Sequence, residues 1–209
     1  MNNKKKFPLH KYNSIKSYYL NYVEEYILSL NSIDLNILEK ISKLLVNTFK
    51  KNKKLFVCGN GGSAAISNHF LCDFAKYVRF GTNLKPKIIS LSSNVEIITA
   101  IGNDMDFNKI FSYQLENLIS KEDILLVISS SGNSPNIIEA IKEAKKIKAK
   151  VISFTGFKGG YAKIKSDLSL HVNANNYGLS EDSHHMIMHI LCQFIRQKFL
   201  KNIKNKTVF

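Results

Sequence analysis

The stretch Leu55-Phe56-Val57-Cys58-Gly59-Asn60-Gly61-Gly62-Ser63 decides the fold of this chain. Its first four residues are apolar without alternation, which is what a strand buried on both faces of a parallel sheet requires. A glycine-rich turn follows at once, and the pattern then becomes helical over about Gly62 to Val78. The same change of period recurs downstream. Apolar runs at Lys87-Ile88-Ile89-Ser90-Leu91, Ile124-Leu125-Leu126-Val127-Ile128 and Val151-Ile152-Ser153-Phe154 alternate with helical stretches at about Val95 to Ile101, Asn108 to Ser120 and Ser134 to Ile147. Leu168 to Val172 reads as an edge strand, and a long helix over about Ser180 to Lys201 closes the chain. Strand and helix in alternation predict an α/β fold, a three-layer α-β-α sandwich around a parallel sheet. With 209 residues and no linker, repeat or low-complexity segment, residues 1–209 are expected to form one domain with its α/β core at about 53–202.

Ahead of that core, residues 12–51 read as a helical extension broken at Asn31-Ser32-Ile33-Asp34, where Ser32 or Asp34 can cap a second helix. Leu35, Leu38, Ile41, Leu45 and Phe49 line one face of that helix. The first helix carries Tyr18, Tyr19, Tyr22 and Tyr26 among its apolar residues, more than one buried stripe needs, so packing on another subunit and packing on its own core both stay open.

Composition removes several function classes. Apolar residues make up 44 % of the chain, but no apolar run reaches the roughly 18 residues of a membrane helix. The start, Met1 to Pro8, is basic but has no apolar stretch behind it, so a secretory signal is not expected and a cytoplasmic location is. Cys58, Cys72 and Cys192 are too scattered for a disulfide framework and are expected to be buried and reduced. The formal charge of +14 would suit a nucleic-acid partner. However, the lysines are spread over Lys4 to Lys6, Lys50 to Lys54, Lys142 to Lys150 and Lys201 to Lys206, on helix ends and polar faces, so no nucleic-acid partner is expected.

In an open parallel sheet all strands deliver their carboxyl ends to one edge, where ligands bind and helix amino termini point. Two loops of this chain belong there. In Asn60-Gly61-Gly62-Ser63 the glycines let backbone N–H groups approach an anion, the helix amino end adds partial positive charge, and Ser63 adds a hydroxyl. In Ser129-Ser130-Ser131-Gly132-Asn133-Ser134 four hydroxyls and several free amides lie between strand and helix. Neither loop has the lysine of a nucleotide-triphosphate loop or the G-x-G-x-x-G spacing of a dinucleotide fold, so no nucleotide cofactor is expected.

Gly59-Asn60-Gly61-Gly62-Ser63, Ile101-Gly102-Asn103-Asp104, Ile128-Ser129-Ser130-Ser131-Gly132-Asn133-Ser134 and Thr155-Gly156 stand in the order and spacing of the sugar-isomerase (SIS) domain. From about residue 15 to 200 the chain resembles the phosphoheptose isomerase branch of that family. The resemblance implies a homotetrameric aldose-ketose isomerase that converts sedoheptulose 7-phosphate into D-glycero-D-manno-heptose 7-phosphate for bacterial lipopolysaccharide or capsule. It also implies that Ser63, Ser129, Ser130, Ser131 and Ser134 hold the phosphate, and that Asn60 and Asp104 contact the sugar or order the loops.

Moving a carbonyl between C2 and C1 takes a proton from one carbon and returns it to its neighbour through an enediol. Carboxylates or imidazoles must do this. His69 and Asp73 stand at i, i+4 after the first loop, and Glu181, His185 and His189 form one stripe on the closing helix, apart from its apolar set Met186, Ile187, Ile190, Leu191, Phe194 and Ile195. Two imidazoles with two carboxylates suit zinc. The resemblance implies metal ligation and acid/base work by His69, Asp73, Glu181 and His189, although the family has glutamate where Asp73 stands and glutamine where Glu181 stands. Catalysis is accordingly expected of Asp73, His189 and Glu181. The family's basic residue after its glutamate also lacks a match: Tyr77 is near that place, with Lys76 and Arg79 around it. The same domain also serves elsewhere as a sugar-phosphate sensor and as a partner of a replication initiator. Retention of the four acid/base and metal candidates favours an enzyme, for this or another phosphosugar.

Overall fold

The structure, a computed structural model, describes residues 7, 8 and 10–201. The lysines at 4–6, 204 and 206 and most of the basic start lie outside them. Five parallel strands run β1 (Lys54–Gly59), β2 (Lys87–Ser90), β3 (Ile124–Ser129), β4 (Lys150–Thr155) and β5 (Leu168–His171), in the spatial order β2-β1-β3-β4-β5. Alternate residues of each strand feed two cores. Leu55, Val57, Leu126, Ile128, Ile152 and Phe154 face one, and Phe56, Cys58, Leu125, Val127 and Val151 face the other. Helices α2 (Leu35–Lys50), α3 (Gly62–Asp73) and α8 (Tyr177–Phe199) cover the first face. Helices α4 (Val95–Asp104), α5 (Ser112–Leu118), α6 (Pro135–Lys146) and α7 (Gly160–Lys165) cover the second. This is the three-layer sandwich expected, and α1 (Ile15–Leu30) packs outside it against α8.

The helix starts follow cap chemistry. Asp34, not Ser32, caps α2, its carboxylate accepting from the amides of Asn36 and Ile37, while the Ser32 hydroxyl accepts instead from the Asn173 amide. Asn176 caps α8 three residues before the expected start. Leu35 drops out of the buried face of α2 and is 71 % exposed, because it sits in the first turn above the edge of the core. On α8, Ile187, Leu191 and Ile195 are buried, but Ile190 and Phe194 are exposed. The helix expected over 108–120 divides into a short 3-10 turn at Phe107–Lys109 and α5, with Asp106 capping the turn through the Asn108 amide. Helix α7 was not expected, being too short for an amphipathic period. Cys58 and Cys192 are buried and free as expected, but Cys72 is exposed, since it lies on the side of α3 turned away from the sheet.

The helix predicted over 62–78 is α-helical only to Asp73, and Phe74–Val78 form a wider π-helical turn. Ile66, Phe70, Phe74 and Val78, four apart, are all buried. A strict α-helix would carry that series steadily round the axis, and the wider turn brings its last members back onto the core. Phe70 and Phe74 stack at 4.2 Å between ring centroids. Replacing Phe70 by Ala is expected to cost about 3–5 kcal/mol by loss of buried ring and contacts, measured by urea unfolding. A loss below about 1 kcal/mol would show that α3 is held to the sheet by something other than this stack.

Candidate active site at the strand edge and the seam between two helices

The chain leaves β1 toward β2 on one side and returns as β3 on the other, so the crevice beyond the ends of β1 and β3 is the topological switch point of the sheet. Both hydroxyl- and glycine-rich loops open onto it. Gly61 sits at φ 54°, ψ −124° with open space where a Cβ would be, so backbone conformation demands glycine there. Helix α3 starts at Gly62 and places Ser63, buried, in its first turn. The Ser92 hydroxyl donates to the carbonyl of Gly59 and accepts from its amide, bracing the strand end.

In the second loop the Ser129 hydroxyl accepts from the Gly132 amide and the Ser131 hydroxyl from the Asn133 amide. The buried hydroxyl of Ser130 finds no hydrogen-bond partner among the described residues. Ser134 precedes Pro135 at the start of α6 and makes no side-chain cap bond. An orphaned hydroxyl and an unused cap at the start of a helix fit an anion. Gly132, at φ 68°, is pressed onto the Gly159 carbonyl where a side chain would stand, so the loop cannot drift. The two loops are joined by a reciprocal amide pair. Asn60 Nδ2 donates to Asn136 Oδ1 at 2.9 Å, and Asn136 Nδ2 donates to Asn60 Oδ1 at 2.9 Å. Asn136 lies two residues past the quoted motif, and nothing in its sequence context marks it as a partner of Asn60. Asn133 turns away and accepts from the Tyr161 amide at the start of α7.

Helices α3 and α8 run side by side in the same direction, and their polar residues meet in three steps. At the first, the Glu181 carboxylate lies over Gly62 and fills the place a Cβ there would occupy. At the second, His69 Nδ1 is 2.6 Å from His185 Nε2. At the third, Asp73, 6 % exposed, faces two imidazoles, with Oδ1 3.3 Å from His69 Nε2 and Oδ2 3.6 Å from His189 Nε2. The ligand nitrogens of His69, His185 and His189 all lie within 4.8 Å of one another, a cluster that can hold a metal ion. His184 turns the other way, fully buried and tilted against Phe154. Burial, reinforced by Asp182, holds the Glu181 carboxyl above the usual carboxylate range. Burial also lowers His185, with His189 and His69 adding to the effect.

Beyond the cluster a cavity of about 230 Å³ is lined by His69, Asp73, Tyr77, His189, Cys192, Gln193 and Arg196. Lys76 Nζ stands over the Tyr77 ring, 5.3 Å from its centroid. Arg196, buried to 1 % exposure, comes to the same wall from α8, a contribution that sequence reading missed. Of the predicted residues, Asn60, Gly61, Gly62, Ser63, Ser129, Ser130, Ser131 and Ser134 are brought to the switch point, and His69, Asp73, Glu181 and His189 to the seam. Asp104 stands exposed at the end of α4, accepting from the Asn103 side chain, and no hydrogen bond or ion pair joins it to either loop among the described residues.

The SIS domain family model matches residues 18–156. A phosphoheptose isomerase of Campylobacter concisus is 38 % identical over 166 residues, 79 % of this chain and 87 % of that protein. Among solved structures, a phosphoheptose isomerase from Francisella tularensis superposes with a TM-score of 0.78 at 34 % identity, over 88 % of this chain and 96 % of that one. Another from Neisseria gonorrhoeae gives a TM-score of 0.78 at 28 % identity, over 87 % and 97 %.

Asn136→Ala removes both amide bonds to Asn60 and frees the first loop from the second. Binding of inorganic phosphate, measured by titration calorimetry, is expected to weaken about 5- to 30-fold, the equivalent of about 1–2 kcal/mol for a lost buried pair. Unchanged phosphate affinity in a folded variant would dismiss the clamp.

Proposed function

We propose, from the premise that this chain belongs to the phosphoheptose isomerases of the SIS domain family, that it converts sedoheptulose 7-phosphate into D-glycero-D-manno-heptose 7-phosphate through an enediol. One observation carries the reading to a substrate of this length. Seven residues of α3 separate Gly62, at the phosphate loop, from His69, at the imidazole cluster, a rise of about 10 Å. The phosphorus and the C1–C2 pair of an extended heptulose 7-phosphate are about 9–10 Å apart, counting bonds of about 1.5 Å in zigzag. A phosphate held at the switch point therefore sets the reacting carbons beside Asp73 and the imidazoles.

In this reading Ser63, Ser129, Ser130, Ser131 and Ser134 bind the phosphate, with the backbone at Gly61 and Gly62. Asn60 orders the loops through Asn136, and Asp104 serves the sugar chain. Asp73, flanked by His69 and His189, takes the proton from C1, and His189 serves as its acid/base partner in returning one to C2. Glu181, over Gly62 and holding its proton more readily than an ordinary carboxyl, serves the phosphate end of the substrate as a hydrogen-bond donor. Zinc fits the donors, imidazole with carboxylate, and His69, Asp73 and His189 would hold it together with Glu181 from the sequence assignment or with His185. When bound it would polarise the carbonyl and stabilise the negative oxygen of the enediol.

A homotetramer is supported by the outward face of α1, where Ile15, Tyr19, Leu20, Ile27 and Leu28 are at least half exposed, and by an apolar groove between α2 and α8 lined by Leu35, Leu38, Ile190, Leu191 and Phe194. No helix among the described residues is long and apolar enough to cross a membrane, and a cytoplasmic enzyme of surface-sugar synthesis is the role proposed.

Proton NMR in heavy water, with sedoheptulose 7-phosphate and protein before and after chelation, tests the reading. Aldose signals carrying deuterium at C2, lost on chelation and restored by zinc, are expected. Asp73→Asn is expected to lower turnover about 100-fold or more and Glu181→Gln to lower it less, on the scale of general acid–base catalysis. Thermal stabilisation by the sugar phosphate without turnover would point instead to a sensor, and turnover of a different phosphosugar would move the substrate assignment.

A further inference from the structure

We infer that His185, not Glu181, completes the ligand set of the divalent cation, a conclusion that rests on the metal-assisted isomerase reading above. Three observations carry it. First, His185 Nε2 approaches His69 Nδ1 to 2.6 Å, so two ring nitrogens from different helices point at one spot. Two nitrogens that close share a proton when no cation is present, and a divalent cation with a preference for imidazole takes the place of that proton. Second, His189 joins them with its ligand nitrogen inside the same 4.8 Å group. His185 and His189 are one helical turn apart on the same stripe, with their rings stacked at 4.7 Å between centroids.

Third, the other nitrogen of His69 is already occupied, since Nε2 faces Asp73 Oδ1 at 3.3 Å. A carboxylate on the far nitrogen of an imidazole fixes its tautomer and leaves Nδ1 with its lone pair outward, toward His185, so in this arrangement Asp73 supports His69 from behind and the cation's protein ligands are the imidazoles of His69, His185 and His189. Glu181 is one turn earlier on α8, and its carboxylate lies over Gly62 at the start of α3. The stripe on α8 therefore divides: Glu181 serves the phosphate end of the site, and His185 and His189 serve the cation.

The test uses full-length protein loaded with zinc, and with cobalt(II) as a spectroscopic stand-in. Metal content is measured by mass spectrometry, affinity by chelator competition, and coordination by the visible bands of cobalt. His185→Ala is expected to weaken zinc binding about 100-fold or more and to change the cobalt spectrum. Glu181→Ala, which removes every ligand atom at that position, is expected to leave zinc affinity within about threefold and the spectrum unchanged. His185→Gln, close in size to histidine, is measured beside the alanine variant with thermal unfolding of the metal-free proteins, so that a folding defect is recognised. The inference is overturned if a folded His185 variant keeps wild-type affinity and spectrum, or if Glu181→Ala loses the metal. In that case the isomerase reading still stands. Wild-type protein that isomerises sedoheptulose 7-phosphate at full rate without binding zinc or cobalt would overturn the metal reading and this inference together.

Discussion

Ile66 and Phe70 of α3, Phe74 of the π-helical turn that continues it, and Ile187, Leu191 and Ile195 of α8 are buried in one core against one face of the sheet. Their packing leaves the two helices side by side with a fixed register. Burial of each such side chain stabilises the fold by about 1.5–3 kcal/mol, whereas the polar contacts along the seam are part-exposed and individually weaker. The apolar side of each helix therefore sets the register, and the polar side inherits it. Gly62 meets Glu181, His69 meets His185, and Asp73 meets both His69 and His189 because Phe70 and Leu191 are where they are. The chemistry depends on a hydrophobic constraint that contains none of the chemical groups.

That dependence separates what can be read in the sequence from what cannot. Strands announce themselves by apolar runs, and the two loops by glycine and serine between strand and helix, because these are local signals with local causes. Their convergence on one edge follows from parallel topology alone. The partner of a side chain across a helix seam has no such local sign. His69 and Asp73 are legible as an i, i+4 pair and Glu181, His185 and His189 as a stripe, but the offset between the two sets is decided by packing. The sequence pattern groups Glu181 with His185 and His189, and the packed seam sets its carboxylate over Gly62. Asn136 was unreadable for a similar reason: its reciprocal bonds with Asn60 span 76 residues.

Helix α1 illustrates how two open alternatives resolve. Tyr18, Tyr22 and Tyr26 pack on the core of their own chain, while Tyr19 turns outward at 63 % exposure. Tyr22 donates a 2.5 Å hydrogen bond to Asp182 Oδ2, and Tyr26 donates to the Asp182 carbonyl. The tyrosines thus tie α1 to the first turn and a half of α8, beside Glu181. A helix outside the sandwich thereby helps hold one end of the polar stripe.

The resemblance implies two departures from the family pattern, aspartate for glutamate at 73 and glutamate for glutamine at 181, and they answer to different physics. Aspartate is one methylene shorter, yet from α3 it still places its two oxygens at 3.3 Å and 3.6 Å from two imidazoles. Glutamate at 181 brings a carboxyl to the amino end of α3, where the proposed phosphate site lies. Two like unit charges 5 Å apart repel by about 3 kcal/mol at an effective dielectric of about 20. A phosphate dianion and an ionised Glu181 therefore cannot share that end of the helix cheaply. Burial and Asp182 already bias Glu181 toward its neutral form, and an approaching phosphate pushes it further the same way. A neutral carboxyl offers one O–H donor where an amide offers two N–H donors, so at this position protonated glutamate can imitate glutamine toward an anion while keeping a proton to exchange.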